Sequence, residues 1–255
     1  MRKSRLGNTG LTVSRLAIGT GTAGWGGGSN QTRRLGVAGL TSLIRLAFEL
    51  GITFWDTADA YGSHPHVREA LKQIDRESVV LATKSGAHSA PDAERDVERF
   101  LRELGTDHLD IVLLHCMSSS DWPRQRSGAM EALSRLKERG LVRAVGVSCH
   151  DLGALEVAAE HPWVDVVLAR VNHAGVRMDS SVERIVSVLE RVHANGKGLY
   201  GMKILGQGQL KNDVPGAFRY ALGLGFLDAL VVGFESEREL REDVDLVEKL
   251  DPVRV

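Results

Sequence analysis

Four residues in the first half of the chain carry side chains suited to acid catalysis at a carbonyl: Asp56, Tyr61, Lys84 and His115. Asp56 and Tyr61 belong to T-F-W-D-T-A-D-A-Y-G, Lys84 ends V-V-L-A-T-K, and His115 ends D-I-V-L-L-H. Each ends or closely follows a short apolar run. A lysine that finishes such a run is costly to desolvate unless something pairs with it, and Asp56 is the obvious partner. Reducing an aldehyde or ketone needs hydride at carbon and a proton at oxygen. A free tyrosine, with a pKa of ~10, donates sluggishly near neutrality. A lysine beside the phenol favours the phenolate and lowers that pKa, an aspartate holds the lysine, and a histidine can orient the carbonyl oxygen. The roles are therefore Tyr61 as acid, Lys84 as tuner, Asp56 as anchor and His115 as orienter. Singly, each has a plainer reading: a helix cap, a surface ion pair, loop packing, a satisfied core histidine. Their joint placement at the ends of successive runs favours catalysis.

The elements that must position them repeat along the chain. Apolar runs at 15–19, 52–55, 79–83, 109–114, 142–147, 164–168, 198–203 and 229–232 read as eight strands. Helical spacing lies between them: Val97, Phe100, Leu101 and Leu104 share one face, and Leu240, Val244, Leu246 and Val247 another. Asp151 and Ser180 stand where N-caps belong, and Gly51, Gly105, Gly140 and Gly196 where helices stop. Alternating strands and helices imply parallel pairing through right-handed crossovers, and eight units close naturally into an (β/α)8 TIM-type barrel. An open doubly wound sheet is the alternative. R-L-G-N-T-G-L-T-V reads as a short N-terminal β-hairpin turning at 8–10, a lid on the barrel's bottom. Residues 20–38, rich in glycine and polar side chains, are expected to be the longest irregular segment. In such barrels the chemistry sits at the C-terminal strand ends, where all four residues fall.

The 255 residues suit one barrel domain over 1–255, and 32 basic against 33 acidic residues leave a formal charge of −1. That balance calls for neither nucleic acid nor an anionic membrane as partner. Cys116 and Cys149 do not make a disulfide framework, which fits free thiols in a reducing, cytoplasmic setting. The first residues lack an apolar stretch for a signal peptide, and the apolar runs are too short to span a bilayer.

With Asp56, Tyr61, Lys84 and His115 in order and in register, the sequence resembles the aldo-keto reductases over nearly its whole length. The most specific piece is G-I-T-F-W-D-T-A-D-A-Y-G at 51–62, followed by A-T-K and L-L-H. The resemblance implies NAD(P)H-dependent reduction of a small-molecule carbonyl substrate, with the cofactor lying across the strand ends. By the same resemblance Gly19, Thr20 and Gly21 lie beside the nicotinamide. The family's Ser-Asn after strand five becomes Ser148 and Cys149 here, its glutamine on strand six becomes Leu168 with Asn172 as a substitute, and its stacking aromatic after strand seven becomes Met202. Lys203, Gly206 and Gly233, with the loops G-Q-G-Q and G-F-E-S, are expected to meet phosphate. Arg238 and Asp243 belong to the stretch where the family grips the 2′-phosphate of NADPH. Glu235, Glu237 and Glu239 crowd that stretch, so the NADPH advantage is expected to be eroded, with NADP(H) the nominal cofactor and NAD(H) a usable one. Trp25 and Trp122 are candidate substrate-pocket walls. The chain stops a few residues after its last helix, which implies an open pocket. The oligomeric state is not legible, and a monomer is compatible.

Gly19, Gly21 and Gly24 also spell G-x-G-x-x-G after a strand, but no helix opens on these glycines as a dinucleotide fingerprint requires. His64, His66, His115, Cys116 and His150 raise the alternative of a metal-dependent barrel hydrolase. His64 and His66 read as loop residues beyond Tyr61, and no rim carboxylates complete a metal shell, so no metal is expected. A nucleotide-binding barrel without turnover is the third reading, kept by the altered amide-binding residues and opposed by the intact tetrad.

Overall fold

A computed structural model describes residues 1–251. Its ten strands are β1 Lys3–Arg5, β2 Thr12–Ser14, β3 Leu16–Gly19, β4 Phe54–Asp56, β5 Val80–Ser85, β6 Leu109–Met117, β7 Val142–Cys149, β8 Val166–Arg170, β9 Gly198–Met202 and β10 Ala229–Val232. Its helices are α1 Asn30–Glu49, α2 His64–Leu71, α3 Ala90–Leu104, α4 Trp122–Gln125, α5 Ser127–Glu138, α6 Leu152–Glu160, α7 Val182–Ala194, α8 Val214–Gly223 and α9 Glu237–Leu250. Among the described residues eight parallel strands close into a barrel in the order β10-β3-β4-β5-β6-β7-β8-β9. The (β/α)8 reading is correct, and the open sheet is excluded by the β10–β3 pairing, Leu230 with Leu16.

Strand parity decides which side chains meet in the middle. Ala17, Phe54, Val80, Ala82, Ile111, Leu113, Ala144, Leu168 and Tyr200 fill the barrel interior. Their neighbours Ile18, Trp55, Leu81, Val112, Val145 and Leu199 face outward into a second layer shared with the helices. Each fully buried Leu, Ile or Phe contributes about 1.5–3 kcal/mol relative to exposure, and this double layer carries most of the fold. Counting by twos from the interior residues, Asp56, Lys84, His115, Ser148 and Met202 all fall on the inner face.

β1 and β2 form the expected hairpin. Leu6, Leu11 and Val13 are buried against the barrel interior, so it does seal the bottom. Gly7 there lies so close to β9 that an added Cβ would stand 2.3 Å from the Gly198 nitrogen. Gly51, Gly105, Gly140 and Gly196 take positive φ at or just beyond helix ends, as read from the sequence. Asp151 caps α6 by accepting from the Ala154 amide. Two expectations fail. The cap of α7 is Ser181 rather than Ser180, its side chain accepting from the Arg184 amide. Residues 30–38 are helical, because Ser29 and Thr32 form a reciprocal capping box that starts α1, and Gly36 (φ 61°) only kinks it. Among the described residues no helix is long and apolar enough to cross a membrane.

Candidate active site

The strand ends bring the four sequence-derived residues together. Lys84 Nζ donates to Asp56 Oδ1 at 2.6 Å and to the Thr57 carbonyl at 2.8 Å. The ammonium also lies 5.0 Å from the centre of the Tyr61 ring. Tyr61 Oη and His115 Nε2 are 3.5 Å apart, the rings edge-on with centroids 5.6 Å apart. Lys84 is 1% exposed and Asp56 4%, so the pair is held away from water. Such a pair tolerates removal of neither partner, since each would leave the other charge buried alone.

Tyr61 is presented by a tight 3-10 turn, Asp59–Tyr61, closed by Gly62 at φ 64°. A chain of hydroxyls fixes its base: Ser63 Oγ lies 2.8 Å from Thr20 Oγ1 and 2.6 Å from Thr57 Oγ1. The ring is packed against the glycine loop after β3. A Cβ on Gly21 would lie 2.2 Å from Tyr61 Cε2, and one on Gly24 2.5 Å from Cδ1. Those glycines are needed because the phenol occupies the space of their side chains. Gln31 ties the loop down, donating to the Thr22 hydroxyl at 2.7 Å and accepting from its amide at 3.0 Å.

The electrostatics correct one expectation. Burial raises the Tyr61 phenol above its ordinary pKa, and Lys84 only partly offsets it. Lys84 therefore counters a burial penalty rather than producing an acidic phenol outright, and Tyr61 stays protonated. Burial works against the Lys84 ammonium, but Asp56 and Tyr61 outweigh it and hold its pKa above the usual value. His115 is pushed down to about 3 by burial, with Lys84 and His150 adding to it, so it is a neutral hydrogen-bonding imidazole.

From Tyr61 a cleft runs over the ends of β8, β9 and β10 to the start of α9. Gly19, Gly21, Leu168, Met202, Lys203, Gly233, Arg238 and Asp243 line it. Gly206, in the 3-10 turn Gly206–Gly208, is buried at φ 55° between lining residues. Lys203 Nζ has no carboxylate within ion-pair distance among the described residues, which leaves a cation for a phosphate. The cleft thus offers an apolar end beside Tyr61 and an unpaired cation beyond it, which fits a nicotinamide dinucleotide. Its far end is acidic. Glu235, Glu239, Glu242 and Asp243 line it together, and Asp243 is pushed up to about 7 by burial with Glu239 and Glu242 adding. Glu235 is held by Asn30 and Arg34. Arg238 is 82% exposed, and among the described residues it pairs only with Glu242, at 3.9 Å.

Thr20, Trp25, Trp122, Ser148 and Cys149 are not among the residues that line the cleft. Thr20 serves the hydroxyl chain beneath Tyr61. Ser148 faces inward and accepts from the Cys116 amide at 2.8 Å. Cys149 is turned outward and fully buried in the helix-facing layer, so it does not replace the missing asparagine. Asn172 does not replace the glutamine either: its amide donates to the Val176 and Lys203 carbonyls and accepts from the Ala174 and Val176 amides. Trp122 is 1% exposed, donates to the Ala154 carbonyl and packs on Trp163 and His161, away from the site. Trp25 is 67% exposed with its ring 6.2 Å from that of His115, at the mouth.

His64 and His66 start α2 rather than lying in a loop, and His64 is tied to Glu103 and Thr83. Among the described residues no group of three or more His, Cys, Asp or Glu could hold a metal ion. Sequence reasoning placed Cys116 and His150 near the rim but missed Arg170 and Asp179: Arg170 donates to His150 Nδ1 at 2.5 Å and pairs with Asp179, while His150 Nε2 lies 3.6 Å from Cys116 Sγ. It also missed Tyr200, whose phenol donates to Asp56 Oδ2 at 2.8 Å. Strand parity was the available signal for Tyr200.

Comparison with known proteins agrees with this geometry. The Aldo/keto reductase family model matches residues 16–221. L-galactose dehydrogenase of Arabidopsis thaliana is 28% identical, covering 82% of this chain and 67% of its own length. The NADH-specific methylglyoxal reductase of Escherichia coli is 27% identical, covering 99% of this chain and 81% of the relative. The crystal structure of a putative aldo-keto reductase from Pseudomonas aeruginosa superposes with a TM-score of 0.80 at 28% identity, over 97% of this chain and 94% of the other. The barrel, the strand-end tetrad and these matches together make the chain a member of the aldo-keto reductase family.

Proposed function

We propose that the protein reduces an aldehyde or ketone to the alcohol with a nicotinamide dinucleotide, and that Tyr61 supplies the proton. The observation that carries this is the buried Lys84–Asp56 pair at 2.6 Å directly beside the Tyr61 ring, with a neutral His115 on its other side. When bound, the dinucleotide supplies hydride to the carbonyl carbon. The residues do the rest: His115 hydrogen-bonds the carbonyl oxygen and orients it, Tyr61 gives it a proton, and Lys84 opposes the burial that would otherwise hold that proton too tightly. Leu168 and Met202 cover the apolar end of the cleft, and Lys203 is placed to meet phosphate.

The acidic far end supports NADH over NADPH. A 2′-phosphate there would join Glu239, Glu242 and Asp243, whereas a ribose hydroxyl can donate to a carboxylate. NADPH, the nominal cofactor by resemblance, is therefore the poorer fit to this chain. Tyr61→Phe tests the role of the phenol. Turnover of a carbonyl panel should fall by ~100-fold or more while cofactor affinity changes little. Comparable turnover in the variant removes Tyr61 as the donor.

A further inference from the structure

Tyr200 stands on β9, yet its hydroxyl reaches Asp56 on β4, across the barrel interior from a strand separated from β4 by β10 and β3. The side chain is fully buried, and its ring packs on Phe54 with centroids 5.0 Å apart. Asp56 divides its two oxygens: Oδ1 accepts from Lys84 and Oδ2 from Tyr200. A phenylalanine would fill the same interior space, so packing alone does not account for the hydroxyl. The hydroxyl accounts for the carboxylate, whose second oxygen would otherwise be buried without a partner.

We propose that Tyr200 is a fifth member of the proton-donor assembly, a positioning residue that fixes Asp56, and through it Lys84, against Tyr61. The inference rests on the carbonyl-reduction reading for its kinetic consequence, but its structural content stands apart from it. The physical route is short. A hydrogen bond at Oδ2 draws charge away from Oδ1 and locks the carboxylate plane. Without it, negative charge concentrates on the oxygen facing Lys84, the ammonium is pulled toward Asp56, and less of its field acts on the phenol. Tyr61 then holds its proton more tightly. The other groups facing Tyr61 are His115 and Cys116 on β6 and, beyond them, His150. His115 and His150 are both pushed to about 3 by burial, so neither titrates near neutrality.

The test compares Tyr200→Phe with the intact protein in three readouts. In steady-state reduction, kcat should fall about tenfold with the KM for cofactor changed by less than about threefold. The alkaline limb of the pH profile should move upward by about half a pH unit. Ile111→Val loosens the same interior layer from β6, a strand that adjoins neither β9 nor β4, and serves as the packing control. Its alkaline limb should stay where it is. If Tyr200→Phe does not fold, Tyr200→Met fills similar volume with an adaptable side chain and takes its place. With only three tyrosines in the sequence, isotope-labelled tyrosine also gives a resolvable carbon spectrum, in which the Tyr61 Cζ signal should respond to Tyr200→Phe. An active enzyme with an unmoved limb, or a limb moved equally by Ile111→Val, overturns the proposal. A protein inert toward every carbonyl whose Tyr61 signal still responds overturns the activity reading and leaves Tyr200's role standing.

Discussion

Gly21→Ala adds a single methyl group, which collides with the Tyr61 ring. The new Cβ would lie 2.2 Å from Tyr61 Cε2 and 2.4 Å from Cζ, the carbon that bears the hydroxyl proposed as proton donor. Carbon atoms in contact sit ~3.5–4.0 Å apart, so the ring must retreat by ~1.3 Å or more. Gly21 does not have the positive φ that would strain an alanine, so the clash with Tyr61 is the whole perturbation. The hydroxyl starts 3.5 Å from His115 Nε2, already at the limit of a hydrogen bond, and a shift of this size breaks the alignment. A misplacement of about 1 Å at a reacting group costs ~100-fold in rate, and overpacking costs ~1–3 kcal/mol of stability. The assay is kcat together with cofactor affinity measured by fluorescence titration, with Gly86→Ala as control because its Cβ would meet nothing within 4 Å. The loss should fall on kcat, with the dissociation constant of the cofactor changed by less than about threefold. Retention of kcat within about twofold would refute the argument. So would intact kcat with weakened cofactor binding, which is what a phosphate-binding glycine would give.

Steady-state kinetics with both cofactors on one aldehyde should favour NADH by about tenfold in kcat/KM, Glu239 and Glu242 together costing the 2′-phosphate ~2 kcal/mol, of which Arg238 offsets part. A preference for NADPH beyond about a hundredfold would mean that Arg238 and Arg241 swing in and rebuild a clamp. Thiol titration of the denatured protein should count both cysteines, since Cys116 and Cys149 are free; in the folded protein only half-buried Cys116 should react, and slowly, because burial pushes its thiol up. His115, held to about 3, stays neutral as pH falls through its ordinary range, so His115→Gln should lower kcat without changing the shape of the profile between about pH 5 and 8. An acid limb that vanishes in that variant would contradict this.

Much of the site was legible because a strand repeats every two residues. Once eight apolar runs were read as parallel strands, Asp56, Lys84 and His115 had to share the inner rim, and Tyr61 had to follow Asp56 into the adjoining loop. The lysine's need for a buried partner fixed its pairing before any distance was known. The helix stops at Gly105 and Gly196 were equally local, set by backbone conformations that glycine alone adopts cheaply. The start of α1 was local too, in the Ser29–Thr32 capping box, but the glycine-rich composition of 20–38 masked it. Tertiary structure decided what depends on approach across the barrel. Tyr200 meets Asp56 from 144 positions away, and no local pattern specifies that contact. Gly21 and Gly24 mimic a nucleotide fingerprint in sequence, and only the Tyr61 ring lying against them shows what they accommodate. Cys149 sits beside Ser148 in the chain but points into the outer layer because of strand parity, and Trp122, on the helix after β6, is packed into the same layer. The sign of the Tyr61 shift belongs here as well: the sequence supplied the lysine that lowers the pKa, and only the fold supplied the burial that outweighs it.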